Sequence, residues 1–264
     1  MSNTVKIIKD IAKLCNSLDG YLSPKEATFI ATLPFIKKEG EILEIGSFKG
    51  KSTILLAKAA QSISKKIKIH ACDSFLLSQK SDPKINNPNK LFDIFYNNIR
   101  KHKVEKNITI HRTTSQNLAK KWTFPLKALW IDGDHSYEGV YQDFTNYKIF
   151  LSEGSIVAFH DTLSTFTGPM RVFINEILLS PNFKFCGITS SIAWAQYSHN
   201  THITQQQWEE KINLAIKLHR VLPISFRIEN NLPYSKLIYK YRRSQVPHKI
   251  INISKWLDKV NKVT

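Results

Sequence analysis

The stretch GEILEIGSFKGKSTILLAKAAQ, residues 40–61, runs from a short apolar segment into a turn holding Gly46 and Gly50 and out into a helical pattern. A five-residue run bounded by glycine, with Ile42, Leu43 and Ile45 apolar, predicts a short buried strand, and the Ile54, Leu55, Leu56, Ala57 and Ala60 pattern that follows predicts a helix. A glycine-rich turn between strand and helix lets backbone amides approach a ligand closely and aims a helix N-terminus at it. The same order of elements then recurs. KIKIHACDSF (66–75), NITIHRTTS (107–115), KALWIDGDH (127–135) and GSIVAFHDT (154–162) are four more predicted strands.

Helical segments lie between those strands: LFDIFYNNIRKH (91–102), QNLAKKW (116–122) and residues 138–151, where Val140, Phe144, Tyr147 and Leu151 share one face. Strands alternating with helices imply a parallel sheet covered on both faces. Ahead of the sheet, residues 4–15 predict one helix. SPKEATFIATL (23–33) predicts another, with Ser23 as N-cap, Pro24 in the first turn and Glu26 completing a capping box. Beyond the fifth strand, Met170, Phe173, Ile174, Ile177 and Leu178 fall on one helical face, and FKFCGITSSIAWAQY (183–197) reads as two antiparallel strands joined tightly. THITQQQWEEKINLAIKLHR (201–220) predicts a helix capped by Thr204 and Gln207 that buries Trp208, Ile212, Ala215 and Ile216. SQKSDPKINNPNK (78–90), rich in turn formers beside a strand end, reads as a surface loop and a candidate lid.

The chain has 264 residues, 42% of them hydrophobic, enough for one sizeable core. No apolar run reaches bilayer length and the first twenty residues lack a signal-peptide pattern, so a cytoplasmic location is expected. Three widely spaced cysteines, Cys15, Cys72 and Cys186, fit neither a disulfide framework nor a thiolate zinc site. Lys and Arg outnumber Asp and Glu by 38 to 21, a net charge of +17, which favours acidic or phosphate-bearing partners. Most of that excess is dispersed, but KLIYKYRRSQVPHK (236–249) interleaves it with aromatic residues.

Three nucleotide-binding patterns compete for residues 43–53. The dinucleotide fingerprint needs a glycine spacing that Gly46 and Gly50 do not have, and the phosphate loop needs four residues between its glycines where this chain has three. The third pattern fits. With Glu44 two positions before Gly46, three residues to Gly50 and Ser52 soon after, the stretch resembles the nucleoside-binding loop of the class I S-adenosylmethionine-dependent methyltransferases.

That resemblance implies a Rossmann-like, seven-stranded, mostly parallel α/β sheet with helices on both faces, an antiparallel edge hairpin and a C-terminal helical appendage. It divides the chain into N-terminal helices (1–38), a donor-binding core (39–199) and a basic helical extension (200–264). It implies donor contacts at Glu44, Gly46, Ser47, Gly50 and Ser52, at Asp73 and Ser74 for the ribose, at Ser115 for the adenine, and at Asp132. Lys49 and Lys51 then point to solvent. The segment ALWIDGDHSYEGVYQDF (128–144) with SIVAFHD (155–161) resembles a branch of small-molecule and sugar O-methyltransferases related to the metal-dependent catechol enzymes. In those relatives the positions of Asp132, His160 and Asp161 bind a divalent cation, magnesium or manganese, and His135 stands where the sugar-modifying enzymes carry a catalytic histidine. Asp134 is read as the cap of the next helix, and Tyr137 and Asp143 as packing and surface residues.

The expectation is therefore a metal-assisted O-methyltransferase acting on a hydroxyl of a sugar, glycan or glycosylated small molecule. The alternatives are a basic binding module that keeps the fold, a nucleic-acid-directed methyltransferase, and a phosphate-loop-like nucleotide triphosphatase.

Overall fold

The computed structural model describes residues 2–64, 66–76 and 87–262, so most of the candidate lid loop lies outside the described residues. The sheet has seven strands: β1 (Glu41–Ile45), β2 (Ile69–Asp73), β3 (Ile108–Arg112), β4 (Leu126–Ile131), β5 (Leu151–Phe159), β6 (Phe183–Thr189) and β7 (Ile192–Tyr197). Their order is β3-β2-β1-β4-β5-β7-β6, parallel up to β5, with β7 antiparallel to β5 and to β6. The expected seven-stranded α/β fold with an edge hairpin is thus present. Because the order reverses between β1 and β4, the turns after these two strands diverge to opposite faces, leaving a crevice at their C-terminal ends where ligands bind in open α/β sheets.

Alternation along the strands divides the core. Ile42, Ala128, Trp130, Ile156 and Ala158 pack into one layer, while Leu43, Leu129, Ile131, Val157 and Phe159 pack into the other. The first layer is covered by α1 (Ser2–Lys13), α2 (Pro24–Ile30), α3 (Lys51–Ile63) and α4 (Pro88–Lys101). The second is covered by α5 (Ser115–Ala119), α6 (Tyr137–Tyr147), α7 (Gly168–Val172, which continues as a π-helix over Phe173–Leu178) and α8 (Gln205–Glu229). Two further helices follow, α9 (Lys236–Ser244) and α10 (Ile253–Asn261).

α10 returns to the first layer. Trp256 meets Phe29 of α2 edge-on at 5.4 Å and Trp194 of β7 at 5.5 Å, and the Gln196 amide donates to the Val260 carbonyl at 2.7 Å. The far end of the chain is therefore fastened to the N-terminal helices through buried aromatic contacts, which stabilise both.

Several local expectations are corrected. α6 ends at Tyr147, and Leu151 opens β5 instead of closing the helix. α8 begins at the predicted Thr204–Gln207 capping box but continues through Pro223 to Glu229. Its buried face is Lys211, Leu214, Ala215, Leu218, Val221, Ile224 and Ser225, whereas Ile212 and Ile216 are about half exposed. Cys15 and Cys72 are buried and all three cysteines are free. Among the described residues no helix is long and apolar enough to cross a membrane.

Candidate functional site

The sheet ladder continues one residue past three strand ends and so fixes the site. Gly46 N–H donates to Cys72 O (2.9 Å), Asp132 N–H to Ile45 O (2.8 Å) and His160 N–H to Ile131 O (2.9 Å). Gly46, Asp132 and His160 therefore stand side by side at the C-terminal ends of β1, β4 and β5. Gly46 has φ +88°, and a Cβ placed on it would lie 2.1 Å from the Asp132 carbonyl oxygen. Only glycine lets the two switch-point turns touch in this way.

The turn between β1 and α3 is held from below by acids. Asp73 Oδ2 accepts from the amides of Ser47 (2.9 Å) and Phe48 (2.8 Å), and its Oδ1 accepts from Phe75 N–H (2.6 Å). Burial raises the Asp73 pKa, and the three amides oppose that rise. Glu44 is wholly buried. It accepts hydrogen bonds from Ser47 Oγ (3.0 Å) and the Thr53 hydroxyl, yet its Oε1 has no partner. Burial pushes its pKa up to about 7 despite those hydroxyls. A buried carboxylate oxygen left unpaired at the foot of a glycine turn fits a ligand with a cationic end.

That environment has a measurable consequence. If the ligand is cationic it prefers ionised Glu44, so the dissociation constant for S-adenosylmethionine, measured by calorimetry, should fall by up to about tenfold between pH 6 and pH 8. Glu44→Gln should bind weakly and show no such slope; a flat profile in the parent protein would remove the pairing. The sign for folding is opposite. The folded state holds this proton more tightly than the unfolded one, so the group costs stability as pH rises from 4.5 toward 7.

Lys49 and Lys51 correct the solvent-facing expectation. Lys49 is buried with Nζ 2.6 Å from Asp19 Oδ2, and Lys51 Nζ donates to Gly20 O at 3.1 Å, so both tie the glycine turn to the segment before α2.

Four side chains converge at the ends of β4 and β5. His160 Nδ1 lies 2.8 Å from Asp132 Oδ1 and 3.7 Å from Asp161 Oδ2. His135 Nε2 lies 3.6 Å from Asp132 Oδ1 and 3.7 Å from Asp161 Oδ2. These last distances are ion-pair separations beyond hydrogen-bond reach, and the buried His135 Nε2 has no hydrogen-bond partner. One oxygen of Asp132 and one nitrogen each of His135 and His160 lie within 4.8 Å of one another, close enough to share a metal ion. The sequence reading placed Asp132, His160 and Asp161 together as ligands with His135 beside them as a base, and the four side chains do lie within 2.8–3.7 Å of one another through Asp132 and Asp161. Asp161 has φ +52°, a left-handed conformation that aspartate tolerates better than most residues.

Two neighbours escaped the sequence reading. Glu26 is buried; besides closing the α2 capping box it accepts from Ser191 N–H (3.3 Å) and Oγ (2.5 Å) and lies 3.7 Å from His160 Nε2. Burial alone would push the His160 pKa down, but the charge of Asp132, the hydrogen bond to it and the nearby carboxylates of Glu26 and Asp161 raise it well above the ordinary histidine value. Phe166 stacks on the His135 ring, centroids 4.4 Å apart, and fixes its plane.

Ser115 turns its hydroxyl to Asp143, and its carbonyl accepts from Tyr147 Oη at 2.8 Å. Asp143 is buried, not a surface residue, and burial lifts its pKa to about 6. Ser136, not Asp134, caps α6 by accepting from Gly139 N–H (3.0 Å); Asp134 accepts from the Ser136 amide and hydroxyl and holds that cap in place.

Residues 43–162 match the family model of a methyltransferase domain. By sequence no curated protein matches the chain. Solved structures do match it in fold. The O-methyltransferase NovP has a TM-score of 0.53 at 14% identity, covering 75% of this chain and 98% of its own. An O-methyltransferase from Bacillus cereus in complex with SAH has a TM-score of 0.52 at 18% identity, covering 74% and 90%. TomG from Streptomyces achromogenes, an O-methyltransferase involved in tomaymycin synthesis and solved with SAM, has a TM-score of 0.53 at 13% identity, covering 74% and 89%. The matched segment begins in β1 and ends just past His160 and Asp161, so it spans the glycine turn and all four converging side chains; over that segment the chain is similar to a methyltransferase domain, and it has the fold of these O-methyltransferases.

Proposed function

We propose that the protein transfers the methyl group of S-adenosylmethionine to a hydroxyl of a sugar, glycan or glycosylated small molecule, with a divalent cation at the ends of β4 and β5. The convergence of Asp132, His135, His160 and Asp161 beside the glycine turn carries this reading. The sugar assignment rests on the resemblance of residues 128–161 to the sugar-modifying branch.

In this reading Glu44 and the amides of the Gly46–Gly50 turn receive the donor's amino-acid end. Asp73 and Ser74 receive the ribose, and Ser47 and Ser52 line the turn. Ser115 has its hydroxyl committed to Asp143, so its backbone is what remains for the adenine. Asp132, His160 and Asp161 would hold the cation. A donor set mixing the His160 imidazole nitrogen with the carboxylate oxygens of Asp132 and Asp161 fits manganese or another borderline ion better than magnesium. When bound, such an ion stabilises the alkoxide form of a coordinated hydroxyl.

The protein's own residues supply the rest. His135 accepts the acceptor's proton at Nε2, its ring plane set by Phe166 and the resulting charge matched by Asp132 and Asp161 at 3.6 and 3.7 Å. Glu26 orients His160 from the far side.

Chelation should abolish transfer to a panel of glycosylated acceptors while donor binding by calorimetry changes little. Full transfer after chelation would overturn the metal assignment. Absence of donor binding would overturn the whole reading.

A further inference from the structure

Eight of the eighteen exposed large apolar side chains among the described residues fall between positions 212 and 241. α9 is the clearest case, because it is turned inside out. Three of its polar residues turn to the protein, Arg242 donating to Arg220 O at 2.8 Å, Arg243 to Leu163 O at 3.3 Å and Tyr239 Oη to Ser164 O at 3.1 Å, while Lys236 and Lys240 are exposed. Its apolar residues face water. Leu237 is 80% exposed, Tyr241 67% and Ile238 49%, a stripe at helical spacing, and Tyr234 is exposed just ahead of the helix. Phe226 and Leu232 extend the apolar surface along the end of α8.

Exposed apolar surface of this extent marks an interaction face, and its charge selects the partner. Residues 212–243 contain seven Lys or Arg (Lys217, Arg220, Arg227, Lys236, Lys240, Arg242, Arg243) against one acid, Glu229. A second copy of the chain would bring like charges together across a symmetric interface. A nucleic acid would pair with the cations and stack on tyrosine but has no use for Leu237, Ile238 and Leu232. An anionic lipid surface uses both sets, phosphates for the cations and the acyl boundary for the aliphatic and aromatic side chains.

We infer that the α8–α9 hairpin is a docking face that seats the enzyme on an anionic membrane surface. Its position relative to the site gives the docking a purpose. Phe226, Arg227 and Leu232 also line a groove of about 570 Å³ whose other wall is Thr167 and Arg171, one residue beyond the Phe166 that stacks on His135. A Cβ at Gly168 would lie 2.2 Å from the His135 carbonyl, so this wall packs directly on the proposed catalytic turn. The groove thus lies between the end of α8 and the backbone of the turn that carries His135. On the reading of function above, it suits an acceptor presented at the lipid surface.

The test is co-sedimentation of the full chain with phosphatidylglycerol vesicles and with phosphatidylcholine vesicles at low and high salt. Binding is expected to the anionic vesicles only and to weaken with salt. Leu237→Asp/Tyr241→Asp should reduce it at least tenfold, with the thermal midpoint and donor binding unchanged. The proposal is overturned by absence of pelleting, by pelleting that survives the double variant, by a dimer in ultracentrifugation that the variant dissolves, or by oligonucleotide binding in place of vesicle binding. Vesicle binding does not require the donor, so its failure would leave the methyl-transfer reading intact, and failure of donor binding would leave the docking face intact.

Discussion

His135→Ala should lower the turnover number by about 10²- to 10⁴-fold, the usual worth of a positioned general base, while the donor dissociation constant stays within a few fold. The imidazole is not part of the glycine turn, and its removal leaves Glu44, Asp73 and the loop amides in place. The structure adds a second arm to this experiment, because His135 Nε2 is within ligating reach of the group formed with Asp132 and His160. A titration of manganese into the variant separates the two roles. Unchanged metal affinity with lost turnover identifies a base. A drop of tenfold or more in metal affinity identifies a ligand, and proton transfer would then have to be assigned elsewhere. Full turnover in the variant would remove His135 from the chemistry altogether.

Gly46→Ala should be the most damaging single substitution in the donor site. Alanine would have to adopt φ +88° and place its methyl carbon 2.1 Å from the Asp132 carbonyl oxygen, far inside the 3.4 Å at which ordinary contact begins. The backbone cannot yield locally, because Gly46 and Asp132 are both bonded into the sheet ladder through Cys72 and Ile45. The two switch-point turns must separate, at a cost of at least about 3 kcal/mol. For a domain of this size that corresponds to a thermal midpoint lower by roughly 6–12 °C. Separation also moves Asp132 away from His160, so donor binding and metal binding should fail together. Gly133→Ala is the control, since a Cβ there meets its nearest neighbour, Asp143 Oδ2, at 3.3 Å. Equal losses in the two variants would mean that the close approach at Gly46 is not what positions the site.

Much of this was readable before the structure, for local reasons. Strand β1, the Gly46–Gly50 turn and α3 announce themselves because a short, mostly apolar strand and a turn needing positive φ leave few other readings. Asp132, His160 and Asp161 follow from being the first polar residues after buried strands. What escaped depends on contacts distant in sequence. Glu26 reads as a capping residue and is one; its approach to His160, 134 positions along the chain, is set by how α2 packs against the turn between β6 and β7, where Ser191 holds it. Lys49 looks solvent-bound until the segment at Asp19 folds over it. On α8 two apolar stripes compete, Ile212 with Ile216 and Leu214 with Leu218 and Val221. Periodicity over a truncated helix favours the wrong one. Extending the helix to Glu229 lengthens the second stripe through Ile224, and packing selects it.

The double employment of Glu26 makes α2 a reporter of the chemistry beside it. The Ser23 amide donates to Glu26 Oε2 at 2.8 Å, and the same oxygen lies 3.7 Å from His160 Nε2. A cation held by Asp132 and His160 would change the charge facing Glu26, and with it the acceptor strength felt by the amide at the N-cap of a helix that lies outside residues 43–162. The hydrogen-exchange rate of that one amide would then register the loading of the site without substrate, turnover or label, and the fraying of a helix end becomes a readout of occupancy.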